Sequence, residues 1–142
     1  LVNACYECMW RGIDAIKPGA SLNKVGIACE NFAKAEGLSV VHEYGGHGIG
    51  KNFHEDPFVC HYNTRENNVI LKPGMIFTGE PMLNSGSRHI SDLNDGWTVV
   101  TKDSSLSAQW EHTVLVTETG YEVLTLSEGY PELPDFIKAK LK

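Results

Sequence analysis

The stretch EYGGHGIGKNFHEDP, Glu43–Pro57, sets four glycines around two histidines seven positions apart and stops at a proline. Each glycine costs about 0.5–1 kcal/mol against alanine inside a helix or strand. The stretch therefore reads as a loop, neither helix nor central strand, whose main chain comes close to something. Ahead of it, LSVVHEY (38–44) reads as a strand feeding the loop. Behind it, VILKPGMIFTGEPM (69–82) reads as a strand, a Pro-Gly turn and a second strand. GWTVVTKD (96–103) and QWEHTVLVTETGYEVLTL (109–126) supply more strands, the last two joined as a hairpin at Glu118–Gly120.

The N-terminal third has a different period. Leu1, Cys5, Cys8, Met9, Gly12, Ile13 and Ile16 recur at helical spacing, and Pro18-Gly19 ends that helix. Ser21 is the expected N-cap of a second helix, with Leu22, Val25, Cys29 and Phe32 on one face as core and Gly37 as its stop. Two helices followed by a mostly antiparallel sheet make an α+β fold.

At 142 residues the chain has the size of one domain, and 42% hydrophobic with 21% charged residues is ordinary for a folded protein. A net charge of −6 without a Lys/Arg cluster argues against nucleic acid as partner. No apolar run nears the roughly 20 residues of a membrane helix, so no membrane partner is expected. Cys5, Cys8, Cys29 and Cys60 are too few for a stapled scaffold, and reduced thiols in the cytoplasm are the expectation. The chain opens at Leu1, inside a helical pattern and without an initiator Met, which suggests a fragment or a polypeptide cut in two.

Two carboxylates stand out. On a strand, Glu111, Thr113 and Leu115 share one face and Trp110, His112, Val114 and Val116 the other. Both faces are largely apolar, so this strand is expected to be buried on both sides, where a charge needs a partner. Glu80 poses the same problem beside Ile76, Thr78 and Met82. A shared cation answers it; so would a buried arginine or backbone amides, although Arg11, Arg65 and Arg88 all lie outside apolar strands. His47 offers the nitrogen that joins carboxylates on Zn, Mn, Fe or Co. Gly45, Gly46, Gly48 and Gly50 would let its main chain approach a metal or substrate. Periodicity does not place His54, and a lone loop histidine is ordinarily a solvated group.

GHGIGKNFHEDP (46–57), KPGMIFTGEPM (72–82) and DGWTVVTKDSSLSAQWEHTVLVT (95–117) occur in this order, with AEGLSVVHEY (35–44) ahead of them. Together they closely resemble type I methionine aminopeptidase over essentially the whole chain. The resemblance implies half of a pita-bread fold, in which two similar αβ halves enclose a dinuclear metal site. Residues 1–142 would be the C-terminal catalytic half-domain, with the N-terminal half absent. It implies removal of the initiator methionine from nascent proteins by attack of a metal-bridging hydroxide. His47 and Glu80 match ligands of one metal, and Glu111 matches the carboxylate bridging both. Glu80 or Glu111 would shuttle the proton, and His54 matches the histidine that contacts the scissile carbonyl or its oxyanion. Phe53 and Trp97 match walls of the methionine pocket, sensible partners for a flexible thioether. The cofactors implied are two divalent ions: Co, Mn, Fe or Zn.

By the same resemblance, the family's two aspartate ligands and a further histidine would lie upstream of Leu1. Charge counting agrees: Glu80, Glu111 and a hydroxide supply three negative charges against the four positive of two divalent ions. Asp14 lies on the first helix, and Asp56, Asp92, Asp95 and Asp103 sit in turn-like contexts. The expected partner is therefore the N-terminal half of the same enzyme, separate or cleaved. Without it the chain is expected to be inactive and to expose an apolar seam. A mononuclear site of His47, Glu80, Glu111 and water is chemically possible.

Other features read as structural. Cys5 and Cys8 share a helix face and have no second CxxC to complete a zinc knuckle. Cys60 could line the pocket as a reactive thiol, and a small buried hydrophobe is equally consistent. His42, His61, His89 and His112 read as structural or surface groups. A prolidase or aminopeptidase P relative would share the fold, but the spelling GHGIGKNFHEDP and Trp97 favour the methionine branch. A non-catalytic peptide-binding module would be expected to have lost ligands, whereas His47, Glu80 and Glu111 are all present.

Overall fold

Cys5, Cys8, Met9, Gly12 and Ile13 line the buried face of α1 (Val2–Asp14), and Val25, Cys29 and Ala33 that of α2 (Asn23–Ala35). The two helices pack on one another, and Trp10, Met9, Ile13 and Ile16 carry the core from α1 towards the sheet. The computed structural model describes residues 1–65 and 68–140.

The C-terminal end of α2 is as the sequence predicts, whereas Ser21 is not its N-cap. Leu22 occupies the N-cap position without a side-chain bond, and the hydroxyl of Ser21 instead accepts from the Asn23 N–H at 3.3 Å. At the other end Gly37 adopts φ +68°. Its N–H donates to the Lys34 carbonyl at 3.1 Å, and that of Leu38 to Ala33 at 2.8 Å. This paired closure needs a left-handed residue, which glycine supplies without steric cost.

Ten short strands follow among the described residues: β1 (Ser39–Val40), β2 (Gly46–Gly48), β3 (Glu55–Val59), β4 (Ile76–Gly79), β5 (Met82–Asn84), β6 (Ile90–Asp92), β7 (Val99–Thr101), β8 (Ser107–Gln109), β9 (His112–Val116) and β10 (Tyr121–Val123). A short α3 (Asp135–Lys138) comes after them. The main sheet has the order β10-β9-β4-β2-β3, a second sheet β1-β5-β8, and β6 pairs with β7. Every one of these pairings is antiparallel. The α+β class and the hairpin turning at Glu118–Gly120 are as the sequence predicts.

Residues 69–71, expected as a strand, form only the isolated Ile70–Ser21 bridge, and the loop expected at 46–48 is also overturned. Gly46–Gly48 is a strand, and it lies inside the main sheet between β4 and β3. Neighbouring chains come too close there for any side chain: a Cβ on Gly46 would strike the Thr78 carbonyl, and one on Gly48 the Asp56 carbonyl. The glycines answer the crowding of the sheet itself. A Cβ on Gly45 would likewise meet Val59 and Phe58, and one on Gly50 the Glu55 carboxylate.

All four cysteines are free and buried. Among the described residues no helix is long and apolar enough to cross a membrane. His61 and His112 are fully buried, not surface groups, whereas His89 is exposed.

Two predictions follow from this packing. Gly46→Ala is expected to destabilise the fold by about 1–3 kcal/mol, the usual cost of overpacking. Gly120→Ala, with open space around its Cβ, should leave the thermal midpoint unchanged. Acid should also weaken the fold before carboxylates titrate. Burial pushes the His61 pKa down to about 3 and shifts His112 in the same direction. Below the unfolded value near 6.5 the unfolded chain binds more protons, so stability falls as pH drops through that window. For His61 the slope is at most about 1.4 kcal/mol per pH unit. Denaturant melts at about pH 7.5 and about pH 5 should show it, and equal midpoints would mean these imidazoles are not held neutral.

Candidate metal centre

His47 is the middle residue of β2. Its main-chain N–H donates to Thr78 Oγ1 at 2.9 Å, and its Nδ1 lies 3.0 Å from the Gly48 carbonyl. A carbonyl can only accept, so Nδ1 carries a proton, which in the neutral ring leaves the Nε2 lone pair free. Nε2 lies 3.7 Å from Glu80 Oε1.

Glu80 is the first residue beyond β4. Its N–H donates to Nε2 of His61 at 3.0 Å, and Thr78 Oγ1 donates to its Oε1 at 2.6 Å. Burial pushes its pKa up, opposed by the bond from Thr78; the nearby charge of Glu111 raises it further, and His47 and Gln109 lower it. Without a cation, this carboxylate is reluctant to ionise.

Glu111 stands immediately ahead of β9 and is exposed. That corrects the expectation of a strand buried on both faces. β9 buries His112, Val114 and Val116, while Thr113 and Leu115 are half-buried. Its covered face meets α1, where the Trp10 and His112 rings lie 5.4 Å apart, and Glu111 leaves from the open one.

These three side chains come from widely separated segments, yet a ligating atom from each lies within 4.8 Å of the other two. One imidazole nitrogen with its proton on the far side and two carboxylate oxygens form a donor set for Zn, Mn, Fe or Co. Among the described residues no arginine or lysine pairs with Glu80 or Glu111; Arg11 is bonded to Glu7 and Arg88 to Glu43. A cation is the counter-charge this geometry suits.

The centre lies in a cleft of about 370 Å³, within the usual size range of small-ligand pockets. His54 and Phe53 both line it: the His54 ring is 4.1 Å from that of His47, and the Phe53 ring 4.6 Å from that of His54. Tyr44, Phe58 and Met82 complete its walls. Trp97 instead lines an adjoining cleft that shares Tyr44 and Met82, and it is 89% exposed. Cys60 is buried beyond β3 and is not among the residues lining the metal cleft.

Sequence reasoning passed over four residues here. Thr78 bonds to both His47 and Glu80, and its spacing of two from Glu80 on a strand was the available signal. His61 holds the Glu80 main chain, and nothing in its sequence context announces that. Tyr44 and Phe58 line the cleft because β2 and β3 pair, a contact invisible in the linear order.

The model of metallopeptidase family M24 matches residues 1–118. The methionine aminopeptidase of Escherichia coli K12 is 57% identical over 126 residues, which cover 89% of this chain and 48% of that protein. Methionine aminopeptidase from Rickettsia prowazekii superposes with a TM-score of 0.85 at 45% identity, over 89% of this chain and 51% of the other. Prolidase from Pyrococcus furiosus superposes at 0.63 with 26% identity, over 89% and 32%. The chain thus spans about half the length of the methionine aminopeptidases it matches. Likeness in sequence and fold runs through the same segments that bring His47, Glu80 and Glu111 together, and the chain belongs to metallopeptidase family M24.

Proposed function

We propose that residues 1–142 are the C-terminal catalytic half of a methionine aminopeptidase that removes the initiator methionine from nascent polypeptides. The observation that carries this reading is the convergence of His47, Glu80 and Glu111 on one point in a cleft. Relatives named methionine aminopeptidase at 53–57% identity support the substrate, against 26% for the prolidase.

His47, Glu80 and Glu111 would hold divalent metal, two ions per complete site, drawn from Co, Mn, Fe or Zn. Bound there, the ions supply Lewis-acid activation of water and of the peptide carbonyl. Glu80 or Glu111 accepts the proton that the attacking water loses and passes it to the departing amine. His54 donates to the carbonyl oxygen as negative charge develops there. Phe53 packs against the methionine side chain, with Trp97 closing the pocket from the neighbouring cleft. The N-terminal half of the same enzyme supplies the remaining ligands, since two carboxylates do not balance two divalent ions. Nascent chains as substrate place the enzyme in the cytoplasm.

The test uses this chain assembled with its N-terminal half. Glu111→Ala should abolish bound metal and cost more than the roughly 10–100-fold typical of changes outside the ligand shell. Turnover at the wild-type rate would remove the proposal. Met-Ala-Ser should be cleaved and Xaa-Pro peptides left intact; the reverse preference would assign the chain to the prolidase branch. This chain alone should release no methionine.

A further inference from the structure

Thr78 is fully buried on β4, paired across the sheet with Thr113 of β9. Its hydroxyl sits between two of the groups that would hold metal. The His47 N–H donates to it at 2.9 Å, and it lies 2.6 Å from Glu80 Oε1. A threonine hydroxyl has one proton and two lone pairs. With one lone pair taken by the His47 amide, the proton is free to go elsewhere. The His47 carbonyl is 3.5 Å away, so the shorter, charge-assisted bond to Glu80 takes it.

We propose that Thr78 is a positioning residue, whose hydroxyl fixes the Glu80 carboxylate in its ligating orientation and ties it to the main chain of His47. The assignment rests on the metallopeptidase reading above. Three bonds acting together explain why one hydroxyl matters. His61 pins the Glu80 main chain at 3.0 Å, the Gly48 carbonyl accepts from His47 Nδ1, and the Thr78 hydroxyl is hydrogen-bonded to both His47 and Glu80. Without the hydroxyl, Oε1 loses its bond from Thr78, and the His47 N–H is left without an acceptor inside the sheet. Gln109 then remains as the hydrogen-bonding side chain on the carboxylate, the rest of its ordering falls to the ion, and affinity falls by that cost. Because Thr78 touches neither substrate nor ion, its effect should appear in metal binding before it appears in the chemical step.

The experiment titrates Co²⁺ into the assembled enzyme by calorimetry and records the visible absorption of the bound ion. Thr78→Val, close in shape but without the hydroxyl, should weaken Co²⁺ binding about 10–100-fold and alter the spectrum. Thr78→Ser should keep wild-type affinity and spectrum. Thr78→Ala serves as the hydroxyl-free variant if the valine form does not fold. Wild-type binding in the hydroxyl-free variant overturns the assignment. So does a serine form as weak as the valine form, which would credit the methyl group instead. Glu80→Gln separates this from the underlying reading. If Glu80→Gln binds Co²⁺ like wild type, the metal site falls and Thr78 with it. If Glu80→Gln loses the ion while the hydroxyl-free variant keeps it, only the role of Thr78 is refuted.

Discussion

The centre exists because β4 lies between β2 and β9 in one register. Gly48 faces Phe77 on one side, and Gly79 faces His112 on the other. Those pairings set His47 beside the end of β4 and bring Glu111, one residue ahead of β9, beside Glu80. A strand side chain repeats every two residues, so a slip of one position would turn Glu111 or His47 to the opposite face. The register is held from the covered side. Phe77, Val114, Val116 and His112 are all fully buried, and a slip would drive them into the open cleft.

Electrostatics give that geometry its meaning. Glu80 is largely buried with a second carboxylate nearby, and both conditions disfavour its charge. A buried acid in a purely structural setting is usually met by arginine or by several amides. Here its direct partners are one hydroxyl, one imidazole and an amide, and among the described residues no arginine or lysine reaches it. His47 is prepared in the complementary way. Its proton is committed to the Gly48 carbonyl, leaving the lone pair on the cleft side. Such a site is stable without an ion only at some cost, and a cation removes that cost.

The same sheet explains the glycines. β2 is squeezed between β4 and β3, and at Gly46 and Gly48 the neighbouring carbonyls occupy the space a side chain would need. Removing those side chains lets the His47 amide reach the Thr78 hydroxyl directly. Close packing and ligand placement are therefore one requirement, and the conformational penalty of glycine is offset by the contacts it permits.

Much of this was legible in the linear sequence, and the reason is local. The helical period of residues 1–16, the left-handed Gly37, the hairpin turn near Gly120 and the alternation through residues 112–116 are each set within a few neighbours. The residue types of the candidate centre were legible too, because few side chains suit a divalent ion and two carboxylates in apolar strands lacked a nearby arginine. What the tertiary structure alone decided depends on contacts across the sheet. Glycine propensity pointed away from a strand at 46–48, and inter-strand crowding reversed it. Apolar residues on both faces suggested that Glu111 was buried, yet α1 covers just one face of β9, and Glu111 leaves from the other. His61 and Thr78 became supports of Glu80 only through pairing and packing between distant segments, and no spacing in one dimension encodes that proximity.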